Sequence, residues 1–142
     1  GAIVTGGKGV HVWLPLRRSR GWDTVKLFAK TFAHVMAEKA PDRYTATMSK
    51  SKRKGRIFID WLRNERGATA IAPYSLRARQ GAPVAVPVTW DELAELKSAK
   101  AFSLGDMARR MDRPCPAVAL QDDLQSLSDG VIDKLNAWAE ED

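Results

Sequence analysis

Cysteine is almost missing from this chain. Cys115 is the one thiol in 142 residues, which excludes an internal disulfide and any cysteine-cluster zinc site and points to a reducing, cytoplasmic compartment. No apolar run approaches the ~18 residues that a bilayer span needs, so no membrane association is expected. Residues 1–16 lack a basic start followed by an apolar stretch, so no leader peptide is expected there. Internal repeats and low-complexity segments are absent as well. A P-loop is excluded: it requires a lysine followed by Ser or Thr at the head of a helix, whereas Lys8 is followed by Gly9 and a strand-like segment. Intrinsic disorder is excluded by the hydrophobic content of 44%, which is spread along the chain. What remains is one globular domain over 1–142, of ordinary size for a self-sufficient core.

What is present is an uneven charge. Residues 1–80 hold 17 Lys/Arg against 5 Asp/Glu, and residues 81–142 hold 6 against 12, so the formal +6 conceals a basic half and an acidic half. A basic half of this strength suits a polyanionic partner, either nucleic acid or nucleotide phosphates; the other reading is a solvated surface that aids solubility.

Hydrophobic patterning gives the elements. Residues 2–5 and 10–14 read as two strands around the turn Gly6-Gly7-Lys8-Gly9, with Val10, Val12 and Leu14 on one face and His11 and Trp13 on the other. Residues 23–38 predict an amphipathic helix capped by Asp23, with Val25, Phe28, Ala29, Phe32, Val35 and Met36 in one stripe and His34 opposite. Strands are expected at 57–61, 69–74 and 84–88. Helices are expected from Thr89 or Asp91 to Lys97, from Leu104 to Met111 behind Ser103, and from about 122 to 138 along a Leu124, Leu127, Val131, Leu135 and Trp138 seam. The class is α/β (α+β): a mixed, largely antiparallel sheet with packed helices.

Three groups of residues could carry chemistry. The glycine turn could bind an anion through backbone N–H groups, with Thr5, Lys8 and His11 as further donors; the same residues also read as a plain tight hairpin. Asp60, at the end of an apolar strand, reads as a divalent-metal ligand or as a partner of nearby arginines such as Arg53 and Arg63. Arg77 and Arg79 alternate, so an extended backbone would put both guanidiniums on one side, where they suit phosphate oxygens. Trp13, Phe58, Trp61 and Tyr74 are candidates for base stacking or core.

Read together, these segments resemble a known family. Thr-Gly-Gly-Lys-Gly-Val-His (5–11), Gly-Arg-Ile-Phe-Ile-Asp-Trp-Leu-Arg-Asn (55–64), Thr-Ala-Ile-Ala-Pro-Tyr-Ser-Leu-Arg-Ala-Arg (69–79) and Gly-Ala-Pro-Val-Ala-Val-Pro-Val-Thr-Trp-Asp-Glu-Leu (81–93) occur in that order. They are similar to the polymerase domain of bacterial ATP-dependent DNA ligase D, in the archaeo-eukaryotic primase superfamily, and cover the second half of that domain. The resemblance implies a nucleotidyltransferase of non-homologous end joining that uses Mn²⁺ or Mg²⁺ to add ribo- or deoxyribonucleotides to DNA ends, with Ku and a ligase domain as partners and a nucleoid-associated location. It implies that Thr5 and His11 meet the incoming triphosphate, that Asp60 is a metal-binding catalytic carboxylate, and that Arg53, Arg63, Thr69, Arg77 and Arg79 contact nucleotide or DNA phosphates. The family's Asp-x-Asp pair does not occur in these 142 residues, so phosphate contacts with little catalysis are expected of the chain alone. Two alternatives stay open: a non-catalytic nucleotide- or DNA-binding remnant, and a fragment that folds as a homodimer through a free sheet edge.

Overall fold

The computed structural model describes residues 1–141. In chain order the elements are β1 (Ala2–Val4), β2 (Val10–Val12), α1 (Trp22–Lys39), β3 (Tyr44–Thr45), β4 (Ile57–Phe58), β5 (Val86–Val88), α2 (Trp90–Glu95), α3 (Met107–Met111), α4 (Pro116–Ala119) and α5 (Asp129–Glu140), with 3₁₀ turns at Ser51–Arg53 and Leu104–Asp106. They form two compact units, the first from residues 1–16 and 70–125, the second from 17–69 and 126 onward.

The first unit is built on an antiparallel sheet of order β2-β1-β5. β1 is central, which explains its unbroken apolar run: Ala2, Ile3 and Val4 are all buried. Ala2 and Val4 face Val88 and Val86 on β5, while Ile3 is flanked by His11 on one side and Pro87 on the other. Paired residues share a face, so His11 lies on the side of the sheet opposite the Ala2, Val4, Val86 and Val88 core. Leu93, Leu96, Phe102, Met107 and Tyr74 close that core. Val12 and Leu14 on the edge side are exposed.

Helix α2 begins where Thr89 predicts. Its hydroxyl accepts from the Glu92 N–H at 3.1 Å, and Glu92 Oε2 accepts from the Thr89 N–H at 3.0 Å, a reciprocal capping box. Thr89→Ala is expected to cost about 1 kcal/mol, read as a lower midpoint in urea unfolding. Ser103 performs the same task with Asp106 ahead of α3.

In the second unit α1 packs with α5. Ala33, Val35, Leu127 and Leu135 are buried, and the Phe32 and Trp138 rings sit 6.0 Å apart. Arg20 ties the two helix starts by donating to the Leu127 carbonyl at 3.0 Å and to Asp129 at 2.5 Å. β3 and β4 pair in parallel, Tyr44 with Ile57 and Thr45 with Phe58.

Four expectations are corrected. Gly21, not Asp23, caps α1; Asp23 sits in the first turn, where its charge suits the helix N-terminus. Strand β4 stops at Phe58. Residues 69–74 form no strand: 69–72 have no strand partner, and 73–74 are a turn in which Tyr74 takes φ +61. The last helix starts at Asp129: the Gln125 N–H donates to the Pro15 carbonyl at 2.9 Å, and Ser128 supplies the cap.

Candidate functional site

Thr5, Lys8, His11, Arg77 and Arg79 belong to the first unit; Arg53, Asp60, Arg63 and Thr69 belong to the second.

In the first unit the glycine turn is internally bonded. The Thr5 N–H and hydroxyl both donate to the Gly9 carbonyl, at 3.2 and 2.7 Å, and the Thr5 hydroxyl accepts from the Gly7 N–H at 3.2 Å. The Gly6 N–H donates to the Ala99 carbonyl at 2.9 Å. The amides of residues 5–7 are therefore engaged, and Thr5 shapes the turn. Gly6 is required: its φ is +63, and a methyl group there would sit 2.9 Å from Arg77 Cγ and 3.1 Å from the Val84 carbonyl carbon. Gly6→Ala is expected to cost about 2 kcal/mol through the left-handed backbone and the backbone clash, seen as a depressed melting temperature.

Arg77 lies along this turn, with its Nη2 3.9 Å from where a Gly7 methyl would stand. Among the described residues the Arg77 and Arg79 guanidiniums and the Lys8 ammonium make no hydrogen bond or ion pair. Extended geometry ends at Arg77: its N–H donates to Pro83 O at 2.8 Å, the Arg79 N–H donates to Arg77 O at 2.8 Å, and the Ala82 N–H donates to Arg79 O at 2.9 Å. Arg79 thus stands on a turn rather than beside Arg77 on a strand. His11 is half-buried on β2. Next to Lys8 a cavity of about 230 Å³ opens over Val4, Val10, Leu93, Leu96, Lys97 and Ser98. The arrangement offers cations at a turn whose near backbone is uncharged and glycine-thin, which suits an anion approaching closely.

In the second unit Asp60 is exposed, at 42% of its side-chain area. The apolar run before it suggests burial; that fails because β4 ends two residues earlier. Asp60 Oδ1 accepts from the Leu62 N–H at 3.2 Å, and Oδ2 lies 3.6 Å from Arg63 Nε. Arg63 also donates to the Thr69 carbonyl at 2.6 Å. These three residues are brought together as a turn and ion pair. Among the described residues no group of three His, Cys, Asp or Glu side chains could hold a metal ion. Asp60 alone does not fit Mn²⁺ or Mg²⁺, which take several oxygen ligands. Arg53 lies 3.7 Å over the Phe58 ring and donates to the Thr47 and Met48 carbonyls at 3.3 and 2.7 Å, anchoring its own loop. Three of the aromatic candidates are covered, Phe58 by Arg53, Trp61 by Lys30 and His34, and Tyr74 by the core, and the fourth, Trp13, has its indole nitrogen buried.

One cluster is invisible in the linear sequence. Arg110 on α3 is buried, at 5% exposure. It donates to Glu92 at 2.5 and 3.0 Å and to the Pro87 carbonyl at 2.6 Å; Arg113 adds a second contact to Glu92 at 3.1 Å. The Arg110 hydrogen bonds hold the Glu92 carboxyl down at about 2. Burial pushes the neighbouring Tyr74 hydroxyl up to about 12. Burial raises the Cys115 thiol, but hydrogen bonds from Tyr74 and from the Val118 and Ala117 amides outweigh it and the thiol is lowered. The pair Arg109-Arg110 between Met107 and Met111 is the only signal the sequence carries.

The same architecture occurs in known proteins. The family described as LigD, primase-polymerase domain, matches residues 2–116. The multifunctional non-homologous end joining protein LigD of Pseudomonas aeruginosa is 45% identical over 109 residues, covering 77% of this chain and 13% of that protein. The protein of the same name from Mycolicibacterium smegmatis is 41% identical over 93 residues, covering 66% of this chain and 12% of that one. Among solved structures, the polymerase domain of Mycobacterium tuberculosis ligase D in complex with DNA superposes with a TM-score of 0.77 at 34% identity, over 87% of this chain and 43% of that chain. The chain thus spans about an eighth of these curated relatives and under half of the solved domain.

Proposed function

The chain belongs to the LigD primase-polymerase family, and from that premise we propose that it supplies nucleotide- and DNA-phosphate contacts to a nucleotidyltransferase of DNA end joining. The observation that carries this reading is Arg77, an unpaired guanidinium among the described residues, laid along the glycine turn with its Nη2 close to Gly7. Lys8 and Arg79 add charge on the same unit, and His11 provides an imidazole two positions beyond the turn. The solved relative is a complex with DNA, which supports a nucleic-acid partner for the basic half. Arg53 and Arg63 contribute positive charge on the second unit, while Thr69 holds Arg63 through its carbonyl.

Catalysis is outside what these residues do alone. The transfer needs divalent metal held by several carboxylates, and among the described residues no group of three His, Cys, Asp or Glu side chains gathers to hold an ion. The reading therefore predicts binding without efficient primer extension by the isolated chain. A labelled single-stranded oligonucleotide, titrated by anisotropy, should bind with an affinity that falls steeply as salt rises and that survives chelation of divalent metal. A salt-independent affinity, or none at low salt, would overturn the DNA part of the reading. Robust metal-dependent extension by the chain alone would overturn the division between binding and chemistry.

A further inference from the structure

Residues 50–56 read Lys-Ser-Lys-Arg-Lys-Gly-Arg, five cations in seven positions with no acidic residue among them. They lie in the connection from β3 to β4, around the 3₁₀ turn Ser51–Arg53. The structure sorts these cations into two kinds. The arginines turn to the protein. Arg53 sits 3.7 Å over the Phe58 ring and donates to the Thr47 and Met48 carbonyls at 3.3 and 2.7 Å, and Arg56 donates to the Pro41 carbonyl at 3.3 Å. The lysines do not. Lys50, Lys52 and Lys54 are exposed, and among the described residues their ammonium groups make no hydrogen bond or ion pair.

The division follows from the two chemistries. A planar guanidinium can hold two carbonyls at once and stack on a ring, so Arg53 suits an internal brace. An ammonium on a flexible stem is a point charge that needs no fixed direction, which suits phosphodiester oxygens along a strand. Backbone bonds complete the brace. The Lys52 N–H donates to Ser49 O and the Arg53 N–H to Lys50 O, both at 3.2 Å, and Gly55 takes φ +73 just before β4. Three like charges are thus held close together on an ordered loop with no described counter-charge, an arrangement that repels itself until a polyanion arrives. We propose that this loop is a nucleic-acid backbone site, in which Lys50, Lys52 and Lys54 contact phosphodiester groups and Arg53 is a positioning residue that braces the loop rather than a phosphate contact. This rests on the reading of a nucleic-acid partner for the chain. It adds which residues of the second unit meet that partner, and it reverses the expectation for Arg53.

Anisotropy of a labelled single-stranded oligonucleotide, titrated with the full chain across a salt series, tests it. Lys50→Ala/Lys52→Ala/Lys54→Ala is expected to lower the slope of log affinity against log salt by about 2, since each phosphate contact on a single strand contributes about 0.7. The same variant should bind roughly 10- to 100-fold more weakly at about 0.1 M salt. Lys100→Ala/Lys134→Ala removes two exposed charges elsewhere, and is expected to change the slope by less than about 0.5. Arg53→Lys keeps the charge but cannot span both carbonyls. It is expected to weaken binding about threefold in the parent, and by less than about 1.5-fold once the three lysines are alanine. A parental slope in the triple variant, or an equal loss per charge in the Lys100/Lys134 control, would overturn the site while leaving the nucleic-acid reading in place. A loss from Arg53→Lys that is equal in both backgrounds, or absent from both, would overturn the brace. A parent chain that binds no oligonucleotide would overturn the nucleic-acid reading and this site with it.

Discussion

Arg110→Ala is expected to destabilise the unit formed by residues 1–16 and 70–125 by about 3–5 kcal/mol, the usual cost of removing one partner from a buried ion pair. The substitution leaves the Glu92 carboxylate, 22% exposed, with only the exposed Arg113 as a charged partner, and takes the Arg110 donor from the Pro87 carbonyl. It also empties the space beside Phe102, over whose ring the guanidinium sits at 5.4 Å. A domain has only about 5–15 kcal/mol to lose, so urea unfolding should shift by a large part of its range. The double variant Glu92→Gln/Arg110→Ala should recover part of the loss, because no carboxylate is left beside the core and the Arg113 that loses its partner is exposed to water. A shift below about 1 kcal/mol for Arg110→Ala would show that the cluster is not structural.

The same pair sets an acid limit. In the folded chain Glu92 titrates at about 2, below the ordinary value of 4.5. Its contribution is therefore fully present above the unfolded carboxyl's value and disappears as pH falls through about 2. Unfolding free energy measured between about pH 5 and pH 2 should decline, and Glu92→Gln should flatten that decline. An identical slope in both proteins would contradict the assignment.

Arg77→Ala is expected to weaken nucleoside triphosphate binding by roughly 10- to 100-fold. A charge-assisted hydrogen bond contributes about 1.5–3 kcal/mol, and each 1.4 kcal/mol is tenfold in affinity. Arg77→Lys should fall between, since the ammonium keeps the charge but loses the planar fork that grips two oxygens. Stability should hardly change in either variant, because the guanidinium has no described partner to lose. Affinity unchanged in both would remove Arg77 from the site.

The sequence is most readable where local rules decide structure. Helix α1, the β1–turn–β2 hairpin and the Thr89 cap follow from periodicity, glycine and side-chain capping, and each lies close to its expected bounds. It is least readable where distant contacts override local preference. Residues 122–128 continue a helical seam on paper, yet Gln125 bonds to Pro15 more than a hundred positions away. The parallel β3–β4 pair is two residues per strand, too short for any alternation to show. Asp60 reads as buried because the apolar run before it suggests a longer strand than forms. The Arg110 cluster needs α2, α3 and β5 to be assembled before it exists, and two adjacent arginines on a five-residue helix give no hint that one of them is buried.

The proposed anion site is the glycine turn under Arg77. Amide and Arg side-chain chemical shifts, followed while a nucleoside triphosphate is titrated into the isotope-labelled chain, test it most directly. The account predicts saturable shifts at Arg77 Nε and at the Lys8 and Gly9 amides, since the amides of Thr5, Gly6 and Gly7 already have intramolecular acceptors. Saturable shifts confined to other surfaces, with Arg77 and Lys8 unmoved, would contradict it.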